Sequence, residues 1–442
     1  MRIFLLVLLL LSSSAFAEEP DLPLGLGGDE IAFEETETDQ AGLPFDVTGF
    51  VETRLGVRAG EPRNEKDVSI GEGRLHLEAV SRGLPITFNF SGDALYDPVF
   101  DDYDVDLESG KGWFDLREAN AFLRASSNAD LKIGRQILTW GTGDLLFIND
   151  MFPKDWNSFF LGRDEAYLKA PSDALKTAFY SDFINLDVVY TPRFDADRFI
   201  DGRHVSYYNG NLGYVAGRDN PVIVDQRQDW FSEDEIALRF HRMIGAYEAA
   251  AYLYSGYWKS PHGQHAGGDY IFPALSVYGA SMRGPLAGGI VKAEAGYYDS
   301  RDDRAGTNAL IDNSEWRGLV GYEREVAPEL TAAAQYYLEA MQDYGTYKTN
   351  LPAGSKVRDE YRHVITTRLT KLLMNQNMTL SLFNFYSPSD RDGYLRASTS
   401  YKVNDHLTLS LGGNWFYGAE RHTFFGQFQE NSNVYASARW GF

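Results

Sequence analysis

The last stretch of the chain reads Val434-Tyr435-Ala436-Ser437-Ala438-Arg439-Trp440-Gly441-Phe442. Apolar Val434, Ala436, Ala438, Trp440 and Phe442 alternate with Tyr435, Ser437, Arg439 and Gly441. In an extended strand successive side chains point to opposite faces, so this segment has one apolar face and one mixed face. The same period recurs upstream. Val47, Val51, Leu55 and Val57 oppose Asp46, Thr48, Glu52, Arg54 and Arg58, and Leu75, Leu77 and Ala79 oppose Glu72, Arg74, His76 and Glu78. Ile236, Leu238 and Phe240 oppose Glu235, Arg239 and His241, and Leu407, Leu409 and Leu411 oppose Thr408, Ser410 and Asn414.

Alternation alone also suits a soluble sandwich. The connections discriminate. About 18 strand candidates are separated by spacers that are short and long in turn, as in an outer-membrane barrel with short periplasmic turns and long outer loops. Short spacers fall at Arg82–Leu84, Ser126–Ala129, Asp182–Phe183, Ile244–Gly245, Pro285–Leu286, Ala327–Pro328, Leu373–Asn375 and Asn404–Asp405. Long ones fall near 96–112, 141–166, 192–233, 258–269, 300–313, 342–358 and 418–428. The predicted fold is an all-β, antiparallel up-and-down transmembrane barrel over 45–442, and an even strand number puts both chain ends on the short-turn side.

Met1-Arg2, the apolar run Ile3–Leu11 and the small-residue end Ser12–Ala17 have the pattern of a secretory signal peptide cut after Ala17. Residues 18–44 read as an acidic periplasmic arm: nine acids and no Lys or Arg lie between 18 and 40. No later run of some 18 apolar residues offers a membrane helix. The mean hydropathy of -0.34 is compatible with a barrel, whose strands need only every second residue apolar. Aromatic residues make up 14% of the chain, which suits girdles at two membrane interfaces.

With 41 basic and 63 acidic residues the net charge is -22. That balance argues against nucleic acid, whose phosphates need a basic face. There is no Cys, so disulfides and thiolate metal sites are excluded. Neither a Gly-x-Ser-x-Gly elbow nor a His-Glu-x-x-His helix is present, and the eight His are scattered. The chain reads as a non-enzyme without cofactor or bound metal. Asp101–Glu108 is carboxylate-dense but lacks the glycine and spacing of a calcium loop. His262 and His265 show no nearby carboxylate partner in the sequence.

A barrel of this size should enclose water, so its inward residues line a lumen. The candidate pore-lining set is Glu52, Arg54, Glu72, Arg74, Glu118, Arg135, Asp144, Asp155, Trp156, Arg239, Arg317, Arg368 and Arg396. Such arginines can fork to a solute or pair with wall carboxylates. Segment 141–166 carries Phe147, Phe152, Trp156, Phe159 and Phe160, too apolar for a freely solvated loop. It is expected to fold into the lumen, the alternative being a cap over the barrel mouth.

Two resemblances sharpen the reading. Val434–Phe442 resembles the terminal strand that outer-membrane proteins present to the barrel-assembly machinery, with Trp440 and Phe442 as its aromatic signal. Gly134-Arg135-Gln136, Trp140-Gly141 and the following Asn149-Asp150…Pro153-Lys154-Asp155 resemble a family of proteobacterial porin-like barrels, and the Gly-Arg-Gln element is similar to that of alginate-export barrels. This likeness implies an 18-stranded channel, more readily a monomer than a trimer, for a small or polymeric polar solute, with Arg135 at or near the constriction. The chain departs from the alginate-export pattern in its acidic balance. Leu131, Ile133 and Ile137 share the parity of Arg135 and should face lipid, so either a bulge near Gly134 turns Arg135 inward or Arg135 lies near an interface; the bulge is the expectation. The functional expectation is an outer-membrane channel for small polar solutes, and the alternative a plugged receptor, adhesin or barrel partner of an export or electron-transfer complex.

Overall fold

A computed structural model describes residues 44–100, 103–352 and 354–442. The expected signal peptide, and the acidic arm apart from Pro44, lie outside the described residues. The chain forms strands β1 (Phe45–Arg58), β2 (Val68–Ser81), β3 (Thr87–Tyr96), β4 (Phe114–Ser126), β5 (Ala129–Ile137), β6 (Pro171–Phe179), β7 (Asn185–Thr191), β8 (Glu235–Ile244) and β9 (Tyr247–Tyr257). It continues with β10 (Ala274–Leu286), β11 (Gly289–Ser300), β12 (Glu315–Ala327), β13 (Leu330–Met341), β14 (Tyr361–Leu373), β15 (Met378–Ser387), β16 (Asp392–Lys402), β17 (Leu407–Gly418) and β18 (Asn433–Gly441). Each pairs antiparallel with its sequence neighbours in one 18-stranded sheet. The sheet closes where β1 meets β18, from Phe50 opposite Gly441 to Arg58 opposite Asn433.

The strand count and the sorting of connections agree with the sequence reading. Turns run from two residues between β4 and β5 to five between β2 and β3, and every long segment lies at the other end. The expected spacers at Ile244–Gly245 and Ala327–Pro328 shift by one residue, and one is displaced entirely: Pro285–Leu286 belong to β10, and the turn is Ala287-Gly288, both at positive φ. Pro171 opens β6 and Pro273 precedes β10, positions where a missing N–H interrupts no ladder.

Side-chain exposure follows the strand period. On β1, Val51, Leu55 and Val57 are exposed while Glu52, Arg54 and Arg58 are buried. On β17, Leu409 and Leu411 are exposed beside buried Asn414 and Phe416. The outer surface is thus an apolar belt. Trp316, Tyr361, Tyr386, Trp415 and Tyr417 rim it near the long loops, and Phe45, Phe179, Phe183, Tyr401 and Trp440 near the short turns, all exposed. Apolar outside, charged inside and ringed by aromatics, the barrel has the surface of a membrane-spanning protein. Trp440 stacks on His406 at 5.4 Å, and Phe442 exchanges two backbone hydrogen bonds with Gly49 across the seam.

Leu411 stands near mid-strand on the apolar face. Leu411→Arg is expected to cost about 2–4 kcal/mol of folding free energy in bilayers, and Ser437→Arg, on the inward face of β18, much less. Equilibrium unfolding in lipid vesicles measures the difference; equal costs would place β17 and β18 in the wrong register.

Candidate lumen and its constriction

The long segment 138–170, between β5 and β6, does not stand outside the barrel. Its first part approaches β11 and β13. Glu294, inward on β11, accepts from Gly143 N at 2.6 Å, Thr142 Oγ1 at 2.9 Å, Asn149 Nδ2 at 3.0 Å and the backbone N–H of Thr142. Gln335 on β13 exchanges hydrogen bonds with the backbone of Asp144 at 2.8 and 2.9 Å, and the Asp144 carboxylate lies 2.9 Å from Arg368 of β14. One wall carboxylate therefore gathers donors that a short bend of the loop converges, as backbone amides do around an anion.

The second part crosses the lumen. Asp155 caps a five-residue helix α1 (Trp156–Phe160) by accepting from Ser158 N at 2.7 Å. Phe159 and Phe160 pack edge-on against Tyr394, and Phe160 against Phe416 and Phe428. The Phe160 carbonyl accepts from Asn414 on β17 at 3.2 Å and Asn433 on β18 at 3.0 Å. Arg54 on β1 donates to Gly162 O at 2.5 Å, and Arg163 bonds Glu72 of β2 at 2.5 Å. Tyr167 donates to Asp93 of β3 at 3.1 Å, and Arg117 of β4 donates to Lys169 O at 2.8 Å. The segment is a strap from one side of the wall to the other.

Most of the inward charges are engaged. Glu52 is bonded by Arg54 and by Arg439 at 2.6 Å; Arg74 pairs with Glu72 at 2.7 Å and Asp93 at 2.6 Å, over the Tyr167 ring. Arg317 pairs with Glu315 at 2.5 Å and covers Tyr298, and Arg239 pairs with Asp187 and Glu248. Glu118 lies 3.4 Å from Lys132. Arg368 bridges Asp144 and Glu165, and Arg396 donates to Arg163 O at 2.9 Å above the Phe159 ring. Of the expected set, Glu52, Arg54, Glu72, Arg74, Asp144, Arg368 and Arg396 come together around the strap. Asp155 and Trp156 are tied instead to the mouth segment 192–234, through Arg198 at 3.4 Å and Asp197 at 3.3 Å. Arg239, Arg317 and Glu118 sit apart on the wall.

Arg135 corrects the sequence expectation. The ladder between β5 and β6 runs without a shift through Gly134, and Arg135 faces Ala119 and Asp173 on the parity of Ile133. The register shift lies in β4, where Arg117 is the extra residue between Leu116 and Glu118. Arg135 is near the outer end of β5, where Asp173 at 2.9 Å and the carbonyls of Leu116 and Leu107 take its donors. Of the two alternatives, the interface position fits this geometry. Glu108, Asp173 and Asp195 approach one another there, but Arg135 and Arg193 already occupy Glu108 and Asp173, and Asp195 accepts from Ser172 Oγ at 2.6 Å and Asp173 N at 2.9 Å. Asp101 and Asp102 lie outside the described residues. His262 and His265 do have carboxylate partners, Asp312 at 2.6 Å and Asp225 at 3.1 Å, supplied by distant loops.

No family model matches this chain, and no curated protein matches it in sequence. Solved structures do. OccK11 (OpdR) of Pseudomonas aeruginosa aligns over 90% of this chain and 96% of its own, with TM-score 0.53 and 9% identity. OccK5 (OpdH) and OccD3 (OpdP) of the same organism align over 90% of this chain and 98% and 91% of theirs, with TM-scores 0.52 and 0.51 at 10% identity. The fold is that of a porin barrel.

The sequence pattern places Gln335 on the polar face of its strand and Arg163 in the segment after Trp140, but the candidate set omits both, and it misses Glu294 and Asn433 altogether. Glu294 offers a faint signal, a lone acid in the Lys292-Ala293-Glu294-Ala295 alternation. Glu294→Ala should free residues 141–149 and expose Lys154 and Arg163 to trypsin added from the loop side; a digestion pattern like that of the wild type would refute Glu294 as the anchor. At the mouth, His204 packs against Phe100 at 3.9 Å. Burial, with Arg163, Lys111 and Arg58 nearby, pushes it down to about 3 against the pull of Asp201. A depressed value favours the neutral ring, so this contribution is intact above pH 6.5 and is lost as pH falls toward 3. Hydrogen exchange at 200–216 should quicken on acidification across that window, and His204→Gln should flatten the change.

Proposed function

We propose that the chain is a porin-like channel of the Gram-negative outer membrane, acting without catalysis and admitting small polar solutes past a constriction made by segment 138–170. The observation that carries this reading is the strap itself: a loop anchored on inward side chains of β11, β13 and β14 at one end and of β17, β18, β1 and β2 at the other. A loop so held narrows the lumen at a fixed height while polar walls above and below stay wet. The porin fold of the neighbouring structures supports the same reading.

In this reading the chain acts as a monomer, and its last strand is the element offered to the barrel-assembly machinery. The Gly134-Arg135-Gln136 element, similar to that of alginate-export barrels, is a clamp of the outer rim rather than a solute contact, because Asp173 and two carbonyls use the Arg135 donors. A plugged receptor is the second reading. It is favoured by the aromatic cluster of Phe159, Phe160, Tyr394, Phe416 and Phe428, which packs the strap against the wall and against the loop after β17.

Single-channel recording of the refolded barrel in planar bilayers separates the two. The channel reading expects steady openings in KCl and a higher conductance after removal of 142–166. A silent wild type that conducts only after that deletion would establish the plug, and an unchanged conductance would show that the strap does not set the constriction.

A further inference from the structure

The inward wall differs sharply from one side of the barrel to the other. From β1 to β9 it is charged, and most of its charges are closed on each other: Glu52 with Arg54 and Arg439, Glu118 with Lys132, Arg239 with Asp187 and Glu248. From β14 to β18, on the turn side of the strap, it is a sheet of hydroxyls. Thr370 faces Ser381, and Ser381 faces Ser398. Two residues further along the same strand, Ser400 faces Ser410, and Ser410 faces Ser437. Directly opposed residues on adjacent strands hold their Cβ atoms about 4.5–5.5 Å apart, so the six form a continuous arc over five strands.

The sequence alternation puts these residues on the inward parity. They share it with Arg368, Arg396 and Asn414, the side chains that hold the strap. Thr370 and Ser398 each lie two residues from such an anchor, one inward step below it. All six are half-buried. None of their hydroxyls has a protein partner among the described residues. At the head of the arc, Arg396 Nη1 is buried and also lacks a partner among the described residues, while its Nη2 is used by Arg163 O. On the charged wall most donors and acceptors are engaged by protein, with single nitrogens of Arg58, Arg117 and Arg239 left over, whereas along the arc every hydroxyl is open.

We propose that this arc is a binding track for neutral polyhydroxylated solutes, sugars by chemical class. The inference rests on the channel reading and adds a substrate class to it. A hydroxyl both donates and accepts, as a sugar hydroxyl does, so a row of them exchanges partners with a moving sugar at each step. An anionic solute needs several free cations instead, and on this side Arg368 and Arg439 are closed by Asp144, Glu165 and Glu52, which leaves Arg396 as the one strap-anchoring arginine here without a carboxylate partner among the described residues. Arg396 Nη1 supplies one further donor where the track meets the strap.

The test titrates the detergent-folded full chain with maltohexaose by calorimetry. The fourfold variant Thr370→Val, Ser381→Ala, Ser398→Ala, Ser410→Ala removes hydroxyls that no protein group uses, and its circular dichroism should match the wild type. The track predicts that the variant binds about tenfold more weakly, and that Ser398→Thr binds as the wild type does. Equal binding by wild type and fourfold variant overturns the proposal. So does a wild type that takes no maltohexaose, or one that prefers an anionic hexagalacturonate. Planar-bilayer conductance in KCl is measured on the same samples. Sugar binding in calorimetry by a silent barrel would overturn the channel reading alone, and a conducting barrel with no sugar binding would overturn the track alone.

Discussion

Lipid offers a backbone N–H or C=O no partner. A strand that crosses it must therefore be bonded on both edges, and a sheet of such strands must close. The rest of this structure follows from that requirement. Closure puts Phe50 opposite Gly441 and gives every strand two neighbours. It also divides each strand into a face for lipid and a face for the interior, which is why Val51 and Leu55 alternate with Glu52 and Arg54. Because eighteen strands enclose more space than their own side chains fill, the interior becomes a problem of its own.

The interior is organised around a strap rather than packed like a soluble core. Its two ends are held differently. Toward β11–β14 the contacts are polar and concentrated on Glu294, Gln335 and Arg368. Toward β16–β18 they combine the aromatic packing of Phe159 and Phe160 with the amides of Asn414 and Asn433. Buried charges persist there because each has a partner: an inward carboxylate such as Glu72 is matched by both a wall arginine and a strap arginine.

The architecture was legible in the sequence because period-2 alternation and the parity of connection lengths are local, repeated signals. The candidate site was legible only in part. Glu52, Arg54, Glu72 and Arg74 could be assigned to the inner face from their own strands. Glu294 could not be paired with its loop, since the residues it gathers are some 150 positions away and nothing local encodes the match. Arg135 shows the opposite failure. Its parity correctly pointed outward, but the apolar company of Ile133 and Ile137 made a lipid-facing arginine look too costly, and a bulge was expected at Gly134. The real bulge is on the neighbouring strand at Arg117, and the cost is avoided by Asp173 and two carbonyls that a distant loop and β4 bring over the rim.

The strap has a mechanical consequence. A hollow cylinder one sheet thick resists squeezing only through its own hydrogen-bond ladder, and lateral pressure in a membrane can flatten it toward an ellipse. A member fixed to β11–β14 on one side and to β1–β4 on the other acts as a spoke. It carries load in tension through Glu294 and Arg54 and in compression through the edge-to-face rings of Phe159, Phe160 and Tyr394. Cross-section at the height of the spoke is thus set by the protein and not by the lipids around it, and the barrel is stiffest at that height.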